Sequence, residues 1–123
     1  MNETKRKLLI IEDDPGNLKL EKDLLILGGF EIITADNAEN GIILALQKQP
    51  DAIILDYQLP GMNGIDAAKI LAENEKTSHI PIVFVTASVT KEIIIKINVL
   101  DWKVITKPIN TRTFSEEIRS VLK

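Results

Sequence analysis

The chain contains no cysteine. Disulfides and thiolate metal sites are therefore excluded, and the absence agrees with a reducing, cytoplasmic setting. Aromatic residues are scarce: three Phe, one Trp and one Tyr. They are too few for a surface that stacks single-stranded nucleic acid. A strong charge of either sign is also missing. The formal net charge is −3, which argues against direct nucleic-acid binding. Long hydrophobic runs are absent as well. Residues 1–7 are polar and basic, and the short apolar run that follows meets Glu12-Asp13-Asp14 at once. That pattern is neither a signal peptide nor a membrane span, so no membrane partner is expected. The single histidine, His79, precedes Ile80-Pro81 at the start of an apolar run. It reads as a surface loop residue.

What is there describes a globular domain. Hydrophobic residues make up 45% of the 123 positions, enough for a full core without staples. No linker, repeat or low-complexity stretch divides the chain. One domain over residues 1–123, with no output domain, is expected. Five apolar runs, at 8–11, 30–34, 52–55, 82–86 and 104–106, read as strands. Most are continuously apolar and rich in Ile and Val, as strands covered on both faces should be.

Helical segments lie between them. The first starts at Asp14-Pro15, a cap followed by proline at the first helical position. Its inward face is read as Leu20, Leu24 and Leu27, and Gly28-Gly29 ends it. The second runs from Asn37 to Lys48 with Ile42, Ala45 and Leu46 inward, and Pro50 stops it. Gly41 inside it costs about 1 kcal/mol relative to alanine. The third is capped near Asn63 and carries Ile65, Ala68, Ile70 and Leu71. The fourth, 91–100, is crowded with β-branched residues, which are middling helix formers. Ile93, Ile97 and Leu100 make one face, which leaves Ile94 and Ile95 for deeper burial or for a partner. The fifth begins near Asn110, with Phe114, Ile118, Val121 and Leu122 together. Alternating strands and helices imply an α/β fold, a doubly wound five-stranded parallel sheet with five helices and right-handed crossovers.

In such a sheet, ligands bind beyond the carboxyl ends of the strands, where strand order reverses. The polar residues at those ends are Glu12 and Asp13, Asp56, Thr86 and Lys107. The strand order 2-1-3-4-5 brings Glu12, Asp13 and Asp56 together. Three neighbouring carboxylates repel, and a hard divalent cation resolves the repulsion. An all-oxygen site that keeps water suits Mg²⁺. A cation there would also neutralise an incoming phosphoryl group, and Asp56 becomes a candidate oxygen nucleophile. Lys107 offers a point charge to one phosphoryl oxygen, and the Thr86 hydroxyl a hydrogen bond to another. The small Ala87 side chain leaves room for the group, and Lys107-Pro108 is a candidate cis peptide.

Four stretches carry a family resemblance. They are Leu8-Leu9-Ile10-Ile11-Glu12-Asp13-Asp14-Pro15, Asp56-Tyr57-Gln58-Leu59-Pro60-Gly61-Met62-Asn63-Gly64, His79-Ile80-Pro81-Ile82-Val83-Phe84-Val85-Thr86-Ala87 and Thr106-Lys107-Pro108-Ile109-Asn110. In this order the chain resembles, over essentially its whole length, the CheY-like receiver domains of two-component response regulators. The resemblance implies a flavodoxin-like fold and Asp56 as phosphoacceptor. It implies Asp13 as a direct Mg²⁺ ligand, Glu12 as a ligand through water, and the Gln58 carbonyl as a further ligand. The expected donor is a sensor histidine kinase or a histidine phosphotransfer protein, and the chain is a self-modified acceptor rather than a turnover enzyme. Gln58 and Ser88 occupy the positions that tune phosphoryl lifetime in the family. Neither is an acid, which favours a longer-lived phosphoryl group.

The chain also departs from the family pattern. Val104 stands where an aromatic residue usually lies, three positions before the lysine, and Leu100-Asp101-Trp102-Lys103 replaces the usual small turn. The acceptor chemistry is expected to survive these changes. The alternative is a receiver-fold protein–protein interaction module with an atypical switch. In either case the 88–123 surface is the expected contact for a downstream protein or a second copy. An aspartate-nucleophile phosphohydrolase would carry a second acid two residues after Asp56, where this chain has Gln58.

Overall fold

A computed structural model describes residues 5–87, 90–99 and 102–122. The expectations for Ser88, and for Leu100-Asp101 as part of the fourth helix and the following turn, lie outside the described residues. The elements alternate as expected: β1 (Lys7–Ile11), α1 (Pro15–Leu27), β2 (Glu31–Ala35), α2 (Ala38–Lys48), β3 (Ala52–Leu55), α3 (Gly64–Glu73), β4 (Ile82–Thr86), α4 (Lys91–Val99), β5 (Lys103–Thr106) and α5 (Phe114–Arg119). The strands form one parallel sheet in the order β2-β1-β3-β4-β5. This is the flavodoxin-like arrangement. Among the described residues no helix is long and apolar enough to cross a membrane.

Successive strand residues point to opposite faces, and the core divides accordingly. Leu9, Ile11, Ile53, Leu55 and Phe84 pack with residues of α2, α3 and α4. Leu8, Ile10, Ile54, Val83, Val85 and Ile105 pack with Leu25 of α1 and with Phe114 and Ile118 of α5. β3 and β4 are buried at every position, which explains why their sequences alternate so little.

Among the described residues four helices begin on side-chain caps; at α4 the Thr90 hydroxyl accepts from the Ile93 N–H at 3.2 Å. Asp14, Asn37 and Asn63 each accept a hydrogen bond from the backbone N–H three residues on, at 2.8 to 2.9 Å. Pro15 fills the first helical position of α1. Gly41 proves to be required rather than merely tolerated. A Cβ there would lie 2.3 Å from Ile11 Cδ1, so glycine lets α2 settle onto β1.

The inward face of α1 differs from the expected one. Leu27 is 85% exposed and Leu20 is 42% exposed. The buried residues of α1 are Glu21 and Leu25, with Leu18 and Leu24 packed beside them. Leucine and isoleucine occur all around this helix, so spacing alone picks the wrong stripe. The orientation is set by Leu25 fitting the core, and Glu21 is carried inward with it. Smaller shifts occur elsewhere. Ile70 is exposed, and Ala67 takes the inward place on α3. In α4, Ile97 is buried and Ile95 is 60% exposed. The apolar excess of that helix is thus divided between core and surface.

Candidate functional site

Register places the acidic residues. Ile11 and Leu55 are partners across β1 and β3, so the residues that follow them emerge at the same edge. The Asp56 N–H donates to the Ile11 carbonyl at 3.2 Å, and the Glu12 N–H to the Ala35 carbonyl at 3.0 Å. Both residues are thereby held at the ends of their ladders. Carboxylate oxygens of Glu12, Asp13 and Asp56 lie within 4.8 Å of one another. Glu12 and Asp56 are buried, and Asp13 is exposed. The donor set is all oxygen, anionic and open to water on one side, which fits Mg²⁺.

Lys107 closes the site from the other flank. Its N–H donates to the Thr86 carbonyl at 3.0 Å, which extends the β4–β5 ladder by one step and sets the two residues side by side. The Lys107–Pro108 peptide is cis, as the sequence suggested. Lys107 Nζ donates to Asp56 Oδ2 at 2.8 Å and also to Glu12 Oε1. Burial on its own would push the Lys107 pKa down, but the two carboxylates outweigh it and hold the pKa above its ordinary value. Glu12 moves upward too. Burial disfavours its charge and Asp56 adds repulsion, against the opposing Lys107 hydrogen bond. Thr86 is fully buried at the end of β4.

The loop after Asp56 is held as tightly as the acids. The Gln58 N–H donates to Asp56 Oδ1 at 3.0 Å. With Lys107 on Oδ2, both oxygens are engaged and the carboxylate rotation is set. Gly61 has φ +79°, a conformation that side chains rarely adopt. Gly64 begins α3 against the Asp56 backbone: a Cβ there would lie 2.3 Å from the Asp56 carbonyl oxygen. Sequence reasoning did not single out Gly64, although its place after an Asn cap and a Pro-Gly turn was a usable signal.

Four of the five side chains expected at the strand ends therefore meet, Glu12, Asp13, Asp56 and Lys107, and Thr86 lies beside Lys107 through its backbone. Gln58 joins them through its backbone. Val104 is half-buried against the core on the α2–α3–α4 face. The aromatic ring in this region belongs to Trp102, whose centroid lies 5.6 Å from that of Phe84, tilted by 52°. Phe84 is the strand partner of Val104, so the indole packs on β4 rather than in the position of Val104. Glu21 was also missed. Its signal was a glutamate on the helical stripe that joins Leu18 and Leu25.

Comparison with known proteins gives one family. Residues 8–119 match the response regulator receiver domain. The polar-differentiation response regulator DivK of Brucella anthropi is 35% identical over 118 residues, covering 95% of this chain and 96% of DivK. Solved structures share the fold. Chemotaxis response regulator CheY4 of Vibrio cholerae superposes with a TM-score of 0.88 at 23% identity, covering 97% of this chain and all of CheY4. The phosphorylated cyanobacterial phytochrome response regulator RcpA gives 0.80 at 20% identity, covering 96% of this chain and 91% of RcpA. The match runs from the strand before the acidic pair to the last helix, and the DivK similarity spans nearly both chains. This chain belongs to the response regulator receiver domain family.

Proposed function

We propose that the chain accepts a phosphoryl group on Asp56 in an Mg²⁺-dependent reaction, from a histidine kinase or a histidine phosphotransfer protein. The observation that carries this reading is the meeting of Glu12, Asp13 and Asp56 within 4.8 Å, with Lys107 on Asp56 at 2.8 Å. A Mg²⁺ ion bound by the carboxylates of Asp13 and Asp56 and the Gln58 carbonyl, with Glu12 acting through water, would supply charge neutralisation for the incoming phosphoryl group. An Asp56 carboxylate oxygen attacks phosphorus, an O–P bond forms, and the N–P bond to the donor imidazole breaks. Lys107 shifts from the bare carboxylate to a phosphoryl oxygen, and the Thr86 hydroxyl turns to another. The product is the modified chain itself, so this is self-modification rather than turnover.

The added charge, about −1.5 to −2 units at pH 7, biases the face formed by α4, β5 and α5 toward a bound state. That face would receive a downstream protein or a second copy. The DivK similarity supports a signalling role for the chain. Purified chain treated with acetyl phosphate and Mg²⁺ should gain the mass of one phosphoryl group. Chelation or Asp56→Asn should abolish the gain. An unmodified wild-type chain, under conditions that label a control receiver, overturns the proposal.

A second reading has its own observation. Val104 lacks a ring, and Trp102 is already packed on Phe84, so the usual aromatic half of the switch has no free counterpart at Val104. The chain would then keep the acceptor site but serve as an interaction module. Beryllofluoride titration followed by NMR separates the two. Shifts reaching α4 and α5 favour the switch, and shifts confined to the site favour the module.

A further inference from the structure

The α1 side of the sheet holds a carboxyl group that the phosphoryl chemistry leaves unused. Glu21 is only 2% exposed, on the stripe between Leu18 and Leu25. It has no hydrogen bond or ion pair among the described residues. Among the described residues no side-chain oxygen or nitrogen is both sealed from solvent and without a partner, so the little surface Glu21 keeps includes its carboxyl oxygens. Glu21 lines a cavity of about 90 Å³ together with Asn17, Leu20, Lys107, Pro108 and Ile109. Its lining is mostly apolar, but it is large enough for water, and water beside the Asn17, Glu21 and Lys107 side chains would give the Glu21 proton a way out.

The cavity connects Glu21 to the site through Lys107, whose ammonium reaches Glu12 and Asp56. Glu21 forms no hydrogen bond with either acid. Burial first, then the charges of Glu12 and Asp56 against the counter-charge of Lys107, push the Glu21 pKa up to about 8. Other charged groups on the neighbouring elements are engaged elsewhere or exposed. On α5, Arg119 lies 3.8 Å from Glu116, and Glu117 accepts from the Thr113 hydroxyl. On β2, Glu31 is exposed. On α1 itself, Lys19 pairs with Asp23 at 2.6 Å and Lys22 is exposed.

We propose that Glu21 is a positioning residue for Lys107: as a neutral acid it leaves the lysine to Glu12 and Asp56, and as a carboxylate it draws the ammonium toward the cavity and away from Asp56. This inference rests on reading Asp56 as the phosphoryl acceptor. The step is a proton passing from the Glu21 carboxyl to cavity water, with no change in bonding to phosphorus. By linkage, positive charge gained at the acidic cluster favours ionised Glu21, and the extra negative charge of a phosphoryl group favours the neutral form.

Two measurements on the intact chain test this. Labelling of Asp56 by acetyl phosphate with Mg²⁺ is followed from about pH 5 to about pH 9, because by the same linkage bound Mg²⁺ lets Glu21 ionise at lower pH than in the metal-free chain. The wild-type rate should fall about threefold or more as pH rises through that range, and Glu21→Gln should remove that fall. An equal fall in Glu21→Gln overturns the proposal. Glu21→Leu provides a second neutral variant if Glu21→Gln folds poorly. NMR of the Lys107 side-chain amine and the Glu21 carboxyl carbon gives a readout independent of labelling. Both should shift through one titration, and the Lys107 shift should vanish in either variant. A Lys107 signal indifferent to Glu21 overturns the proposal. If Asp56 is never labelled at any pH, the acceptor reading fails, while the NMR titration still decides whether Glu21 governs Lys107.

Discussion

Where α2 lies on β1, Gly41 comes so close to Ile11 that a Cβ would fall 2.3 Å from its Cδ1. On the other side of the same sheet, α1 turns Glu21 inward beside a cavity of about 90 Å³. At Gly41 there is no space for a methyl group, whereas α1 brings a carboxyl into a buried place on the opposite side. A similar close contact holds the loop after Asp56, where Gly64 of α3 rests on the Asp56 backbone. The cavity beside Glu21 lies behind Lys107, the group expected to move.

The largest effect should come from breaking the tight contact at Gly41. Gly41→Val drives side-chain atoms into Ile11, and overpacking of this kind costs about 3 kcal/mol. Urea denaturation should show the loss, with an unchanged slope if the fold survives.

The other face should respond to pH. The Glu21 carboxyl rises from its ordinary 4.5 to about 8 in the folded chain. Between those values the folded chain holds a proton that the unfolded chain has released. The Glu21 contribution to stability is therefore fullest below pH 4.5, falls as pH rises through the window, and levels off above about 8. The slope from Glu21 is at most about 1.4 kcal/mol per pH unit. Glu12 is shifted in the same direction, so the comparison to make is wild type against Glu21→Gln. The variant should lose the Glu21 share of the slope. Identical profiles would place Glu21 in a more polar setting than its burial indicates.

The smallest effect sharpens the placement of α1. Leu27 is 85% exposed, so Leu27→Lys should change stability by less than about 0.5 kcal/mol. The leucine spacing in the sequence would instead place Leu27 in the core. A loss of about 3 kcal/mol, as for a core leucine, would restore that reading.

Much of this was legible because strong local signals coincided. Asp14-Pro15, Asn37 and Asn63 announce helix starts, and each cap forms its hydrogen bond. The Ile- and Val-rich runs announce strands covered on both faces. Acids and a lysine directly after such runs mark the sheet's carboxyl edge, and that edge is where they meet. Helix faces were less legible. In α1, Leu18, Leu20, Leu24, Leu25, Ile26 and Leu27 satisfy more than one helical stripe. In α3, Ile70 looked inward by type, but the smaller Ala67 takes the buried place. Trp102 could be noted as displaced from Val104, but only contact with Phe84 says where its ring goes.

The sequence by itself determined the order of elements, the strand-end residues and the class of chemistry they suit. Those depend on local periodicity, turn residues and charge at element boundaries, which act over a few neighbouring positions. Tertiary structure alone decided which side of α1 is buried, why Gly41 and Gly64 must lack a side chain, and that Glu21 shares a cavity with Lys107. Those outcomes depend on the shape of a surface supplied by distant parts of the chain. A helix with apolar residues on every side takes its orientation from that surface, and a polar residue on the chosen stripe is buried along with it.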